Sequence, residues 1–141
     1  MKVFLGILVS LILIGLLIKH DSSKKNKRIQ AVFSSRDSLT NEEFYQSFYK
    51  TKGASLRVIQ GVRKVLEEQL DADMSRLAAT DDFSKNLAFF FEFDSMADVE
   101  IICGLEKEFA IKITDSEAEK TRTIDDIIQL VITKTKTLNA T

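Results

Sequence analysis

Proline is absent from this 141-residue chain, cysteine and histidine occur once each, and glycine occurs five times. Each shortage removes something. Without proline, helices must be limited by Gly, Asn, Asp, Ser and Thr signals. One thiol, Cys103, cannot close an internal disulfide, so nothing demands an oxidising compartment. It lies in the apolar run Val99-Glu100-Ile101-Ile102-Cys103 and is expected to be an ordinary buried small residue. The single imidazole, His20, stands at the end of an apolar segment, which excludes a Ser-His-Asp site and a His-containing zinc site in the remainder. Asp71, Asp73, Ser75 and Asp82 approach a calcium-loop pattern, but Arg76 occupies the position that needs glycine. No spacing singles out a catalytic carboxylate pair, so neither an enzyme nor a metal site is expected.

Charge is present in nearly equal amounts of both signs but is segregated. Residues 1–52 hold 9 Lys+Arg against 4 Asp+Glu, a balance of +5, whereas residues 53–141 hold 11 against 17, a balance of −6. The basic part suits anionic lipid and the acidic part suits a partner with Lys and Arg on its docking face. An acidic domain argues against nucleic acid as a ligand.

Val3 to Ile18 is uncharged and almost wholly apolar. As a helix it spans about 24 Å, and Lys2 and Lys19 can snorkel to make up the difference from a hydrocarbon core of about 30 Å. A cleaved signal peptide is the rival, but no small-x-small site follows Ile18 and no cysteine lies close by for lipid attachment. Lys19, Lys24, Lys25, Lys27 and Arg28 follow the segment while only Lys2 precedes it, which predicts a single-pass anchor with the following domain in the cytoplasm. Asp21 to Arg36 is polar and reads as a solvated linker, with a juxtamembrane lipid contact as the sharper alternative.

Thr40-Asn41-Glu42-Glu43 is a capping-box pattern, and Phe44, Tyr45, Phe48 and Tyr49 follow at helical spacing. A short amphipathic helix ending near Gly53 is expected, packed on the domain or docked on the bilayer surface. Leu56, Val58, Ile59, Val62, Val65, Leu66 and Leu70 predict a longer helix with one apolar face. A long loop from Asp71 to Asp94 follows. Met96, Val99, Ile102, Cys103, Leu105 and Phe109 are the expected buried side of the next helix, with Asp94 as its N-cap and Ser95 in its first turn. Ile111, Ile113 and Ala118 would lie under a short helix, and Thr123 would cap a last one carrying Ile124, Ile127, Ile128, Val131 and Ile132. Burying a phenylalanine contributes about 1.5–3 kcal/mol, so Phe89, Phe90, Phe91 and Phe93 are not expected all to face water. They enlarge the core, line a pocket, or form a surface for lipid or a dedicated enzyme.

The run from Asp94 to Lys120, DSMADVEIICGLEKEFAIKITDSEAEK, resembles the attachment site, second helix and short third helix of the acyl carrier protein family without a gap. With Val58 to Leu70 similar to the family's first helix and Thr123 to Val131 to its last, the resemblance covers roughly residues 54–134. It implies an all-α fold: an acyl-carrier-like four-helix bundle over 54–141, preceded by a transmembrane anchor over 1–20 and by a basic juxtamembrane linker and short amphipathic helix over 21–53. Ala97 stands where the family is usually acidic, and Ala110 and Thr114 replace its usual glycine and proline. Together with a longer loop before the serine, these mark a divergent member.

By the same resemblance, Ser95 carries a covalent 4'-phosphopantetheine arm derived from coenzyme A, whose thiol holds an acyl or aminoacyl group as a thioester. Asp94, Met96, Asp98 and Glu100 are then the contacts for partners: a phosphopantetheinyl transferase, and acyl-loading or acyl-transferring enzymes with basic docking faces. The implied function is that of a membrane-anchored carrier serving lipid or fatty acid synthesis. The alternative is an unmodified carrier-fold adaptor or scaffold tethered to the membrane.

Overall fold

A computed structural model describes residues 2–140. The chain divides after Ser35 into an N-terminal unit and a larger unit that begins at Arg36.

The N-terminal unit is one helix, α1, Lys2–Phe33, of 32 residues. Its large apolar side chains from Val3 to Ile18 are all exposed, Phe4 to 82%. By length and composition it can cross a membrane, a property that a signal sequence near an N-terminus shares. The linker expected from Asp21 is instead helical as far as Phe33. No glycine or proline interrupts residues 16–52, and Lys, Arg, Gln and Ala are good helix formers. Once a helix is nucleated, each added residue gains one hydrogen bond at little further cost, so a polar tail extends it readily. Polarity predicts exposure here, not irregular backbone.

The larger unit is all helical in its regular elements, with α2 Asn41–Phe48, α3 Leu56–Leu70, α4 Phe90–Phe93, α5 Ala97–Phe109, α6 Asp115–Ala118 and α7 Ile124–Asn139. Four of these helices, α2, α3, α6 and α7, start where capping residues stand. Thr40, Thr114 and Thr123 each accept from the amide three residues on, while Glu43, Glu117 and Asp126 return a carboxylate to the cap's own N–H. Ser55 caps α3 through the Val58 amide at 3.3 Å.

Helix α3 is the hub, packing on α2, α5 and α7. Its stripe of Val58, Ile59, Val62, Val65, Leu66 and Leu70 is buried, as the spacing predicts, against Ile101, Leu105 and Phe109 of α5 and Ile124, Ile128 and Val131 of α7. Glycines let α3 and α5 approach closely: a Cβ at Gly61 would lie 2.4 Å from Phe109 Cζ, and one at Gly104 would lie 2.8 Å from Val65 Cγ1. Helix α5 ends at Ala110, whose φ of +52° is left-handed, a conformation that glycine adopts without steric cost.

The short helix α2 lies on α3, with Phe44 and Tyr49 fully buried. The Tyr49 hydroxyl donates to Asp125 Oδ1 at 2.5 Å, and burial, reinforced by this bond, pushes the phenol well above its ordinary pKa. Arg63 of α3 is 5% exposed. It donates to Asn41 Oδ1 at 2.7 Å, to the Leu39 carbonyl at 2.8 Å and to the Met74 carbonyl at 3.2 Å, with its guanidinium over the Phe44 ring. Burial without a bonded carboxylate lowers its pKa from the ordinary value.

Candidate functional site

The site begins with what holds the segment before Ser95. Asp81, 1% exposed, accepts from both Arg36 guanidinium nitrogens at 2.8 Å, from the Ala78 amide at 2.8 Å and from Asn86 Nδ2 at 2.8 Å. Its neighbour Asp82 accepts from the Ser84 amide and hydroxyl, which holds its carboxyl below the usual range. The Phe83 amide reaches the Arg122 carbonyl at 2.8 Å, and the Ile124 amide reaches the Asp81 carbonyl at 3.0 Å. The stretch expected as a loop is thus a series of turns sewn to the entrance of α7, followed by the one-turn helix α4.

Two buried rings, Phe89 and Phe90, stack with centroids 4.3 Å apart immediately upstream of the serine. Ala97, 1% exposed, pins the chain immediately downstream. Between these anchors the chain has to pass over the surface, and there Asp94 is half-buried while Ser95 and Met96 are exposed. Among the described residues the Ser95 hydroxyl has no hydrogen-bond partner.

Ser95 lies in the turn just before α5 and not within its first turn, and the helix's N-cap position is Met96. Asp94 does not cap a helical amide as expected. Its Oδ1 accepts from the Met96 amide at 2.9 Å, and its carbonyl accepts from Ala97 at 3.2 Å, so it shapes the tight turn that presents the serine. Asp98 and Glu100 stand exposed in the first turn of α5, where negative charge is favoured by the helix dipole. The Glu100 carboxyl is held above its ordinary range by hydrogen bonding to the Asp94 carboxyl and by that group's charge. Asp94, Ser95, Met96, Asp98 and Glu100 therefore do come together at one helix entrance.

The buried face of α5 matches the expected one at Leu105 and Phe109 and differs elsewhere. Ala97, Ile101, Leu105 and Phe109 are buried, whereas Met96 is 54% and Val99 47% exposed, and Cys103 is exposed. The whole of α5 is rich in apolar residues, so two candidate stripes coexist and the neighbours decide between them. Val99, Ile102 and Cys103 line an open cavity of about 730 Å³, completed by Phe83, Phe91, Ile101, Ile113 and Ile127 with Asp98, Glu106, Glu119 and Arg122 among its polar lining. Phe83 and Phe91 sit with ring centroids 5.9 Å apart. Sequence reasoning raised a pocket only for the phenylalanine-rich stretch. Phe83 and Arg122 carried no local signal, because residues 83–127 meet only through the fold.

The sequence profile described as "Phosphopantetheine attachment site" matches residues 60–131, and those bounds enclose the helix entrance just described. The chain belongs to the acyl carrier protein family. The carrier is 31% identical over 77 residues to the acyl carrier protein of Thermosynechococcus vestitus, covering 55% of this chain and 90% of that one. It is 33% identical over 78 residues to the acyl carrier protein of Caulobacter vibrioides, covering 55% and 95%. The cofactor of such a carrier is a covalently attached 4'-phosphopantetheine, and a carrier is not itself an enzyme. The helix entrance fits this group: an unencumbered serine hydroxyl on a turn that is anchored on both sides, with room around it.

Proposed function

We propose that the protein is a membrane-anchored acyl carrier whose arm is attached at Ser95. The observation that carries this reading is the exposed Ser95 hydroxyl on a turn held by Phe89, Phe90 and Ala97, inside the stretch that matches the attachment-site family. When bound, the arm supplies a terminal thiol on which an acyl or aminoacyl group is held as a thioester. The chain's own residues do the rest. Asp94 fixes the turn through the Met96 and Ala97 amides. Asp94, Asp98 and Glu100 offer negative charge to a phosphopantetheinyl transferase and to acyl-loading or acyl-transferring enzymes with basic docking faces, and Met96 offers an apolar contact beside it.

The cavity beside α5 has a volume within the ordinary range for small-molecule sites and an apolar wall that begins at Val99, one turn past the serine. It suits the hydrocarbon part of an acyl cargo. Helix α1 serves as the anchor, and the excess of Lys and Arg after its apolar stretch supports a cytoplasmic position for the carrier, where coenzyme A is at hand. Anchoring raises the effective concentration of cargo for enzymes at the bilayer, which suits lipid or fatty acid synthesis.

The test is co-expression of the full chain with a broad-specificity phosphopantetheinyl transferase, followed by intact-mass measurement. The expected result is one phosphopantetheinyl group on the chain and none on Ser95→Ala. An unmodified wild-type chain, or an arm retained by Ser95→Ala, defeats the assignment of the site.

A further inference from the structure

The larger unit carries 14 Lys+Arg against 20 Asp+Glu, yet the charges are not mixed. No Asp or Glu occurs in residues 44–66 or in residues 127–141. The fold brings these two acid-free stretches together. The turn after α2 lies on α7, where the Tyr49 hydroxyl bonds Asp125, and an added Cβ at Gly53 would sit 3.6 Å from Lys136 Nζ. Lys52 Nζ lies 5.7 Å from the Tyr49 ring centroid.

Lys50, Lys52, Arg57 and Lys136 are all exposed, and among the described residues none has a carboxylate partner. The other cations of these stretches are engaged: Lys64 with Glu108 at 3.1 Å, Lys134 with Glu117 at 2.7 Å, and Arg63 in its buried bonds. Asp125, at the start of α7, is taken by the Tyr49 phenol. The carrier therefore has two electrically opposed regions, an acidic one around Ser95 and a basic one built from the α2–α3 turn, the start of α3 and the second half of α7.

We infer that this basic region, Lys50, Lys52, Arg57 and Lys136, docks on an anionic phospholipid surface. The inference rests on the reading of α1 as a membrane anchor. A unit tethered to a bilayer meets its headgroups at high effective concentration, so modest attraction suffices to populate a docked state. Each cation near an anionic leaflet strengthens attachment by about fivefold, and the effect fades within a Debye length. An acidic Ser95 region is repelled by the same surface and stays available to soluble or membrane-bound enzymes.

The experiment uses the full chain in nanodiscs, made either of phosphatidylcholine alone or of phosphatidylcholine mixed with phosphatidylglycerol. Lysines are acylated with a water-soluble reagent and read by peptide mass spectrometry. Labelling of Lys50, Lys52 and Lys136 is expected to fall by about threefold or more in anionic discs and to recover at high salt. Lys107, Lys112 and Lys120 serve as controls and should not change. The double variant Lys52→Glu with Lys136→Glu should lose the protection at Lys50 while keeping its circular dichroism spectrum. Equal labelling of the three lysines in both discs overturns the inference and leaves the anchor intact, whereas a chain that does not enter either disc overturns the anchor and this inference with it. Protection by an added DNA oligonucleotide in neutral discs, without protection by anionic lipid, also overturns it.

Discussion

Replacing Asp81 with alanine tests whether the segment before Ser95 is held by one buried carboxylate. Its side chain is 2% exposed, and its two oxygens accept four hydrogen bonds, two from Arg36, one from the Ala78 amide and one from Asn86 Nδ2. The Arg36 side chain is 32% exposed, so after the substitution water can rehydrate the guanidinium, and that part of the loss is small. The Ala78 amide and the Asn86 amide group lose an acceptor in a part-buried place, at the lower end of about 1–3 kcal/mol for each orphaned donor. A total of about 3 kcal/mol follows. Arg36→Ala leaves the carboxylate with two remaining donors and an opening to water, so it should cost less, about 2 kcal/mol, which is below the range for a fully buried pair. The order matters more than the values. Urea unfolding of the full chain in detergent micelles, followed by circular dichroism, should place the Asp81→Ala midpoint lower by about 1.5 M. Amide exchange between residues 82 and 94 should rise in the same variant. A midpoint within about 0.3 M of wild type, or Arg36→Ala costing more than Asp81→Ala, would refute the reasoning.

Four further outcomes follow from the packing and hydrogen bonds described above. Ala110→Gly should stabilise by about 0.5–1 kcal/mol, since a left-handed alanine costs about 1–2 kcal/mol and glycine's extra unfolded-state entropy returns only part of it; a lowered thermal midpoint would contradict this. Gly61→Ala should destabilise by about 1–2 kcal/mol, because crowding Phe109 outweighs the gain in helix propensity of about 1 kcal/mol; an unchanged urea midpoint would show that the ring simply moves aside. Asp94→Asn should bring the Glu100 carboxyl down to the ordinary glutamate range in a carboxyl NMR titration. The sign follows from linkage: a raised folded pKa means that the pair opposes folding once pH rises through Glu100's folded pKa, and that this opposition is absent below the ordinary glutamate pKa. A chain lacking residues 1–53 should fail to give a cooperative thermal transition, because Arg63 loses Asn41, Leu39 and Phe44 as partners; a sharp transition near the wild-type midpoint would show that the family's usual boundary suffices.

What was legible in the sequence was local. Thr40 with Glu43, and Thr123 ahead of its apolar run, announce helix starts because a cap needs only a hydroxyl and an amide three residues away. The stripe of α3 was equally plain, since polar residues separate its apolar ones. In α5 that separation is missing: Val99, Ile101, Ile102, Cys103 and Leu105 are all apolar, and periodicity pointed to Leu105 and Phe109 but could not tell that Ala97 and Ile101 face inward with them. Cys103 and Val99 were therefore misplaced. Ala97 is instructive because it appeared only as a departure from an acidic position. With 1% exposure it fills a place against the core that an unpaired carboxylate could not enter. The cavity was not legible because its lining spans residues 83–127 and no short-range pattern links Phe83 to Ile127.

The departures from the family's pattern are connected physically. The family profile begins at residue 60, yet the segment from Arg36 to Ser55 is tied to the carrier at several separated points. Arg36 closes on Asp81, Asn41 and Leu39 close on Arg63, and Tyr49 closes on Asp125. Asp81 in turn holds Asn86 and the Ala78 amide, and so organises the turns that lead to Phe89 and Phe90 and on to the serine. The longer stretch before Ser95 and the extra N-terminal helix thus support each other. A buried carboxylate such as Asp81 is tolerable only while its donors stay in place, so loss of Arg36 would loosen the turns that lead to the serine. The polypeptide that enters from α1 at Arg36 is in this way part of what holds the Ser95 turn in position.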